Sequence, residues 1–375
     1  MINILIGGDV CPMGRIENEF VKGNTDEIFH DLLGDISGAD LSVVNLECPL
    51  VTEETPITKA GPVLGASADC IRGFAAAKWH VINLANNHSY DHGARGLQET
   101  MSVINSARLS VVGAGANMKE AQLPYVAQIN GDRIVIYSMA EHEFSIAGNN
   151  VPGANPLDLI NFVHAIQQYK QKGIFIVLIH GGREYYPYPS PEMVRRCRFM
   201  IDMGADAVIC CHAHCPLPWE IHSGRPIIYG LGNLVFEAFS REPDAWYKGY
   251  LAKLIVENGQ IRFEAIPYFQ SQAHVGAIKM NEDARKSFFL EMEKKNDQLN
   301  NSAFLESHWA NYCREQKDIY MAMLFGYNKI MEKMKSLLLK TVHTKRDFVQ
   351  ALNLVQCETH REILNSIFKD ERGEG

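Results

Sequence analysis

The 375-residue chain is defined first by what it does not contain. None of its nine cysteines lies in a Cys-x-x-Cys pair, and the count is odd. This argues against a disulfide scaffold and fits a reducing compartment. No stretch approaches the roughly 20 apolar residues of a membrane span. Ile2–Ile6 is apolar but short, has no basic region before it, and is soon followed by Asp9, so no signal peptide is expected. The expectation is a soluble, cytoplasmic protein. There is no basic excess either: the formal charge is −8, which makes nucleic acid an unexpected partner. With 46% hydrophobic and 21% charged residues, the composition excludes global disorder.

Proline is also absent in one place. All 15 prolines lie at or before Pro267, and residues 276–375 hold only four glycines but 31 charged residues. The shift predicts two parts, an α/β domain over 1–275 and a helical extension over 276–375. In the extension, Phe348, Leu352, Val355, Ile363 and Ile367 recur at helical spacing, as do Met321, Leu324, Ile330, Met334 and Leu337. Thr344-x-x-Asp347 reads as a capping box. The extension is expected to pack as an appendage with a solvated outer face. His308, Trp309 and Tyr312 are its candidates for reaching a site mouth.

Before residue 276, short apolar runs alternate with helix-like segments. Ile2–Ile6, Leu41–Val44, Val81–Leu84, Ile134–Tyr137, Ile174–Ile179 and Ala207–Ile209 read as strands. Asp26–Ile36, Ala68–Lys78, Ala94–Ala107, Leu157–Lys172 and Glu192–Met203 read as helices. Such alternation predicts an α/β protein with buried strands. Tyr250–Val256 and Gln260–Ile266, joined through Asn258-Gly259, predict a hairpin.

The chemistry lies at the ends of the apolar runs. Asp9, then Asn45 and Glu47, then Asn86, Asn87 and His88, then His180, then His212 and His214 each follow a different run. Open α/β sheets build their sites at the carboxyl ends of strands. Two carboxylates, one amide and three imidazoles suit manganese, zinc or iron better than calcium, which prefers oxygen alone. Six donors exceed one tetrahedral zinc site and suit two metals sharing a carboxylate. Rival motifs are poorer. Gly7-Gly8-Asp9 lacks the lysine of a P-loop, and Gly113-Ala114-Gly115 lacks the third glycine of a dinucleotide fingerprint. The Cys210, Cys211, His212, His214, Cys215 cluster has no second Cys/His cluster to complete a structural zinc site, and Cys11 and Cys48 read as buried apolar residues.

These motifs, in this order, resemble the calcineurin-like metallophosphatases and, among them, the capsule-synthesis CapA family of poly-γ-glutamate biosynthesis. The resemblance rests on Gly8-Asp9-Val10 with Gly14-Arg15, Asn45-Leu46-Glu47-Cys48-Pro49-Leu50 and Asn86-Asn87-His88-Ser89-Tyr90-Asp91-His92-Gly93. It continues through His180-Gly181-Gly182-Arg183-Glu184-Tyr185, His212-Ala213-His214 and Gly230-Leu231-Gly232-Asn233. It implies a metallophosphatase sandwich, two sheets flanked by helices, with the helical extension outside it. It implies two metal ions held by Asp9, Glu47, Asn87, His180, His212 and His214, with Glu47 as the bridge. His88 becomes the acid facing the leaving group and Asp91 its orienting partner. Arg15, Asn45, Arg183, Glu184 and Asn233 become substrate-binding candidates. The wider superfamily carries Asp-x-His where this chain reads Asp9-Val10-Cys11, so one first-metal ligand is expected to be missing.

The expected function is a metal-dependent phosphoester hydrolase in capsule, exopolysaccharide or poly-γ-glutamate biosynthesis. Its substrate is then an anionic or phosphorylated small molecule or polymer precursor. Two alternatives keep the site and change its use: an accessory to polymer or amide-bond formation, or an inactive metal-binding scaffold recruiting a partner through the helical extension.

Overall fold

The computed structural model describes residues 1–171, 173–238, 242–272, 274–325 and 345–371. Two sheets pack face to face. In the first, the order is Ala277–Lys279, Gln260–Gln270, Lys248–Glu257, Ile2–Cys11, Leu41–Leu46, Val81–Asn83 and Ser110–Val112, with Asn233–Phe236 also paired to Ile2–Cys11. In the second, it is Trp219–His222, Arg225–Ile228, Ala207–Cys211, Ile174–His180, Asp132–Ala140 and Tyr125–Ile129. Helices cover both outer faces, so the expected two-sheet α/β sandwich is the fold this chain adopts.

The strands are apolar on both sides because each faces two cores. Ile4 and Ile6 point between the sheets, where they share a cluster with Ile134, Ile136, Ile174 and Ile176. Their neighbour Leu5 points outward, under helices carrying Phe20, Phe29 and Phe74. In the second sheet, Phe175, Val177 and Ile179 point outward and Ile174, Ile176 and Leu178 inward. This period-two alternation of large apolar groups is what a strand buried on both faces requires.

Local predictions are met with some shifts. The hairpin spans Lys248–Glu257 and Gln260–Gln270, and its turn places Asn258 at φ 51° and Gly259 at φ 76°, as an Asn-Gly turn demands. The helix read over Asp26–Ile36 is broken at His30, where φ is 43°, into Thr25–Phe29, a 3-10 turn and Leu33–Ser37. Pro191–Asp202 starts one residue early because the Ser190 hydroxyl accepts from the Met193 amide.

The expected boundary at 275/276 needs correcting, because Ala277–Lys279 pairs with Gln260–Gln270 as an edge strand of the first sheet. The helices beyond it are Glu282–Leu299, Ser302–Phe325, Lys345–Gln356 and Glu358–Glu371. Leu305, Trp309, Cys313, Tyr320, Ile363 and Ile367 enter the same core as Tyr137 and Phe175. They cover the outer face of the second sheet. The expected apolar stripe needs correcting: Phe348, Leu352 and Val355 are exposed, and the buried face of their helix carries Asn353 and Leu354. The two stripe members Ile363 and Ile367 are buried on the next helix. Thr344, Ile330, Met334 and Leu337 lie outside the described residues. Among the described residues, no helix is long and apolar enough to cross a membrane.

Candidate metal centre

A bulge in the first strand aims the first ligand. The register of Ile2–Cys11 slips between Gly7 and Asp9 against Leu41–Leu46, and between Asp9 and Val10 against Asn233–Phe236. Bulges re-aim side chains in this way. Gly8 is required here, since a Cβ on it would sit 2.0 Å from the Gly232 carbonyl oxygen. That close approach brings the Asn233 loop beside Asp9.

The second sheet supplies the imidazoles. His180 ends Ile174–His180, whereas His212 and His214 lie just past Ala207–Cys211. They reach the site through a distorted backbone, with φ at 96° and 55°. For a residue other than glycine this costs on the order of 1–3 kcal/mol each and is typical of functional sites. Strand alternation therefore does not explain why both rings face the site; the left-handed turn does.

The structure brings all six ligand candidates together. Glu47, His180 and His212 form one group with ligand atoms within 4.8 Å of one another, and Asp9, Glu47 and His214 form a second. Glu47 belongs to both. The Asn87 side-chain oxygen lies 2.9 Å from His180 Nε2 and adds a donor beside the first group. No cysteine belongs to either group. Cys11 is buried in the outer core of the first sheet with Cys48, so it does not replace the missing histidine. All nine cysteines are free and buried.

Burial leaves this centre electrostatically incomplete. Burial, reinforced by Glu47, pushes Asp9 up to about 6, and burial also raises Glu47. Burial holds His180 down at about 4 and lowers His212. For His214, the effect of burial is outweighed by the negative charge of Glu47, Glu184 and Asp9, and the ring is raised. Both Glu47 oxygens are buried with no hydrogen-bond partner among the described residues. A buried carboxylate in that state is costly unless a cation completes it. The donor set and the orphaned Glu47 oxygens fit divalent cation binding.

Two substrate candidates turn out to support the ligands instead. Asn45 is buried, its amide donating to Asp9 Oδ1 at 2.7 Å while its oxygen accepts from Asn83 and Asn86. Asn83 in turn accepts from Ser138 of the second sheet at 2.6 Å, so a polar chain links the sheets beneath Asp9. Asn233 Oδ1 lies 2.8 Å from His214 Nδ1 and sets that ring, which Trp246 and Phe236 flank at 5.0 and 5.5 Å. Arg15 pairs with Glu237 through 2.7 and 3.0 Å bonds.

Beside the ligands, His88 Nδ1 lies 2.7 Å from Asp91 Oδ2. The ammonium of Lys59 bonds Asp91 Oδ1 at 2.6 Å and lies 3.2 Å from His88 Nδ1, all three side chains being buried. Burial and Lys59 lower His88. Burial favours a neutral Asp91, but the bond from His88 and the charge of Lys59 outweigh it and hold the carboxyl low. Arg183 and Glu184 line the same mouth as His88. Two further groups escaped the sequence reading. Lys59 sits in a loop with no periodic signal. Glu143, 3.9 Å from His212 Nε2, follows Asp132–Ala140 and obeys the same strand-end rule as the other donors.

The sequence model of the bacterial capsule synthesis protein PGA_cap matches residues 3–238. The capsule biosynthesis protein CapA of Bacillus anthracis is 26% identical over 342 residues, covering 88% of this chain and 79% of that protein. The PGA biosynthesis protein CapA of Bacillus subtilis is 28% identical over 294 residues, covering 76% of each. A probable polyglutamine synthesis accessory protein of Mycobacterium tuberculosis is 30% identical over 213 residues, covering 53% of this chain and 56% of that one. Among solved structures, a hypothetical protein of Thermus thermophilus aligns over 75% of this chain and all of that chain, with TM-score 0.48 and 13% identity. The family match spans every donor of the centre and well over half the sequence, and the chain belongs to the bacterial capsule synthesis protein family, PGA_cap.

Proposed function

We propose that the protein is a metal-dependent phosphoester hydrolase acting in capsule or poly-γ-glutamate biosynthesis. The observation that carries this reading is the pair of donor groups sharing Glu47, whose two buried oxygens make no hydrogen bond among the described residues. When bound there, divalent ions supply Lewis acidity and neutralise charge on a phosphoryl group. The chain's own residues do the rest. Ionised Asp91 holds the His88 Nδ1–H and favours the doubly protonated ring, whose Nε2–H then passes its proton to the departing oxygen and leaves the ring neutral. His88 and Lys59 together keep Asp91 ionised, and the carboxylate in turn fixes the ring. Burial of the ligands excludes bulk water and strengthens each of these interactions.

The test is direct. Protein loaded with Mn²⁺ is assayed on p-nitrophenyl phosphate and bis-p-nitrophenyl phosphate, with metal content measured in parallel. Turnover that follows metal content is expected. Full metal loading with no turnover on either ester would overturn the hydrolase reading and favour the accessory role that the mycobacterial relative's name carries.

A further inference from the structure

A cavity of about 200 Å³ adjoins the metal centre. Lys59, Asn87 and His88 line it from the main domain, and Gln350 and His360 from the extension, beyond the family match at 3–238. Arg183 lines it as well, from the loop that follows Ile174–His180.

The extension holds that loop by several side chains. The Tyr186 hydroxyl lies 2.8 Å from His308 Nδ1, and its ring meets Trp309 and Tyr312 at 5.1 and 4.6 Å. The Tyr188 hydroxyl donates to Gln298 at 2.5 Å. Arg183 Nε donates to the Tyr312 hydroxyl. Among the aromatic candidates for the mouth, Tyr312 therefore reaches it through Arg183, while His308 and Trp309 pack on Tyr186. The backbone of the loop calls for such a grip. Tyr185 sits at φ 60°, a left-handed conformation that a residue other than glycine keeps only where its surroundings impose it.

Arg183 is a half-buried cation without a counter-charge. Among the described residues its guanidinium makes only the Tyr312 bond and no ion pair. Its terminal nitrogens are not sealed in the core. Lys59, the other cation of the cavity, is engaged by Asp91 at 2.6 Å. Charges withdrawn from water are usually paired, and a guanidinium fork pairs best with a carboxylate or a phosphate. The charge of Glu184 reaches the ligands Glu47, His180 and His214. That of Arg183 is prominent at Tyr312, Tyr320 and His360, all in the extension. The fork therefore faces the extension end of the cavity. His88, the acid that faces the leaving group, lines the same space. An anion seated on Arg183 thus belongs to the leaving alcohol rather than to the phosphoryl group over the metals.

Resting on the hydrolase reading, we propose that Arg183 binds a second oxyanion of the substrate, carried by the alcohol that leaves, and that Tyr312 of the extension positions its guanidinium. The substrates are then phosphomonoesters whose alcohol bears a carboxylate or a further phosphate. The extension is in this way a working part of the site.

The experiment uses the full chain loaded with Mn²⁺. Ethyl phosphate is compared with 2-phosphoglycolate, which carries a carboxylate in place of the methyl group, and with ethylene glycol bisphosphate, which carries a second phosphate. For one of these, kcat/KM is expected to exceed that of ethyl phosphate about ten- to hundredfold, the worth of one charge-assisted bond. Which of them gains identifies the oxyanion. The gain should be lost in Arg183→Gln. Arg183→Lys keeps the charge without the fork and should also lower the gain, which serves if Arg183→Gln does not fold. A gain with neither compound, or one that survives Arg183→Gln, overturns the proposal. Tyr312→Phe keeps the ring on Tyr186 and removes only the hydroxyl. It should lower the gain about fivefold, with no further loss when combined with Arg183→Gln. An equal loss on every ester overturns the positioning role. Binding separates this proposal from the hydrolase reading. Even if no ester is turned over, calorimetry should show the favoured compound binding more tightly than ethyl phosphate, with the gap lost in Arg183→Gln. Equal affinities in the unaltered protein overturn the oxyanion assignment alone.

Discussion

The metal centre and the C-terminal extension are assembled by different means. The centre draws its donors from strand ends in both sheets, each set by a backbone ladder and an apolar core beneath it. The extension is docked by an apolar face against the second sheet and by carboxylates at the contact, Glu141 and Glu358 buried and Glu362 half-buried. The difference teaches where each is vulnerable. The centre fails when a ligand or cation is lost, whereas the extension responds to changes in area and protonation.

The largest effect should come from removing the extension. Leu305, Trp309, Tyr320, Ile363, Leu364 and Ile367 are buried in the core of the second sheet. At about 1.5–3 kcal/mol for each large apolar side chain, their loss rivals the typical net stability of ~5–15 kcal/mol. A 1–275 fragment is expected to aggregate on expression. A soluble, monodisperse fragment would show the extension to be the appendage that composition alone suggests, and the contrast drawn here would disappear.

Within the centre, Glu47→Ala removes the residue common to both donor groups. Bound metal, measured by elemental analysis, should fall to near background, while His212→Ala should lose part of it. Equal retention in Glu47→Ala and the unaltered protein would break the bridging assignment.

His88→Ala should act on turnover and spare the metal. A positioned general acid contributes roughly 10²–10⁴-fold, and that is the expected loss. If metal content falls as far as in His212→Ala, His88 is itself a ligand.

The smallest effect concerns pH and belongs to the extension. Burial raises Glu141 to about 7, helped by Glu358, and Glu362 to about 7, both from an ordinary 4.5. A carboxyl raised in the fold binds its proton more tightly there than in the unfolded chain. The stability it contributes is present below about pH 4.5 and is lost as pH rises through about 7. The Tm should therefore decline between about pH 4.5 and 7 and level off above that, and Glu141→Gln should decline less steeply. Identical slopes would show that these carboxyls do not govern docking.

The donors at strand ends were legible in the sequence because an apolar run buried on both faces must stop where the chain reaches the site, and the next polar residue marks that point. Asp9, Glu47, His180 and the His212/His214 pair all carry this signature. Glu143 carries it too, just past Asp132–Ala140, the strand that contains the apolar run Ile134–Tyr137. Lys59 carries none, for it comes from a loop between the short strands Leu50–Val51 and Ala66–Ser67 and matters only because Asp91 faces it.

Sequence alone thus determined the α/β class, the hairpin at Asn258-Gly259 and the donor chemistry, since these follow from local periodicity and residue type. Tertiary structure decided the rest. It turned Asn45 and Asn233 into supports for Asp9 and His214, because only packing shows which groups their amides meet. It selected Leu354 over Phe348, Leu352 and Val355 as the buried face, since helical spacing marks an apolar stripe without naming what covers it. It also carried the extension across to the metal centre, placing Asn353 beside Glu143 over a separation of 210 residues, a contact no local pattern encodes.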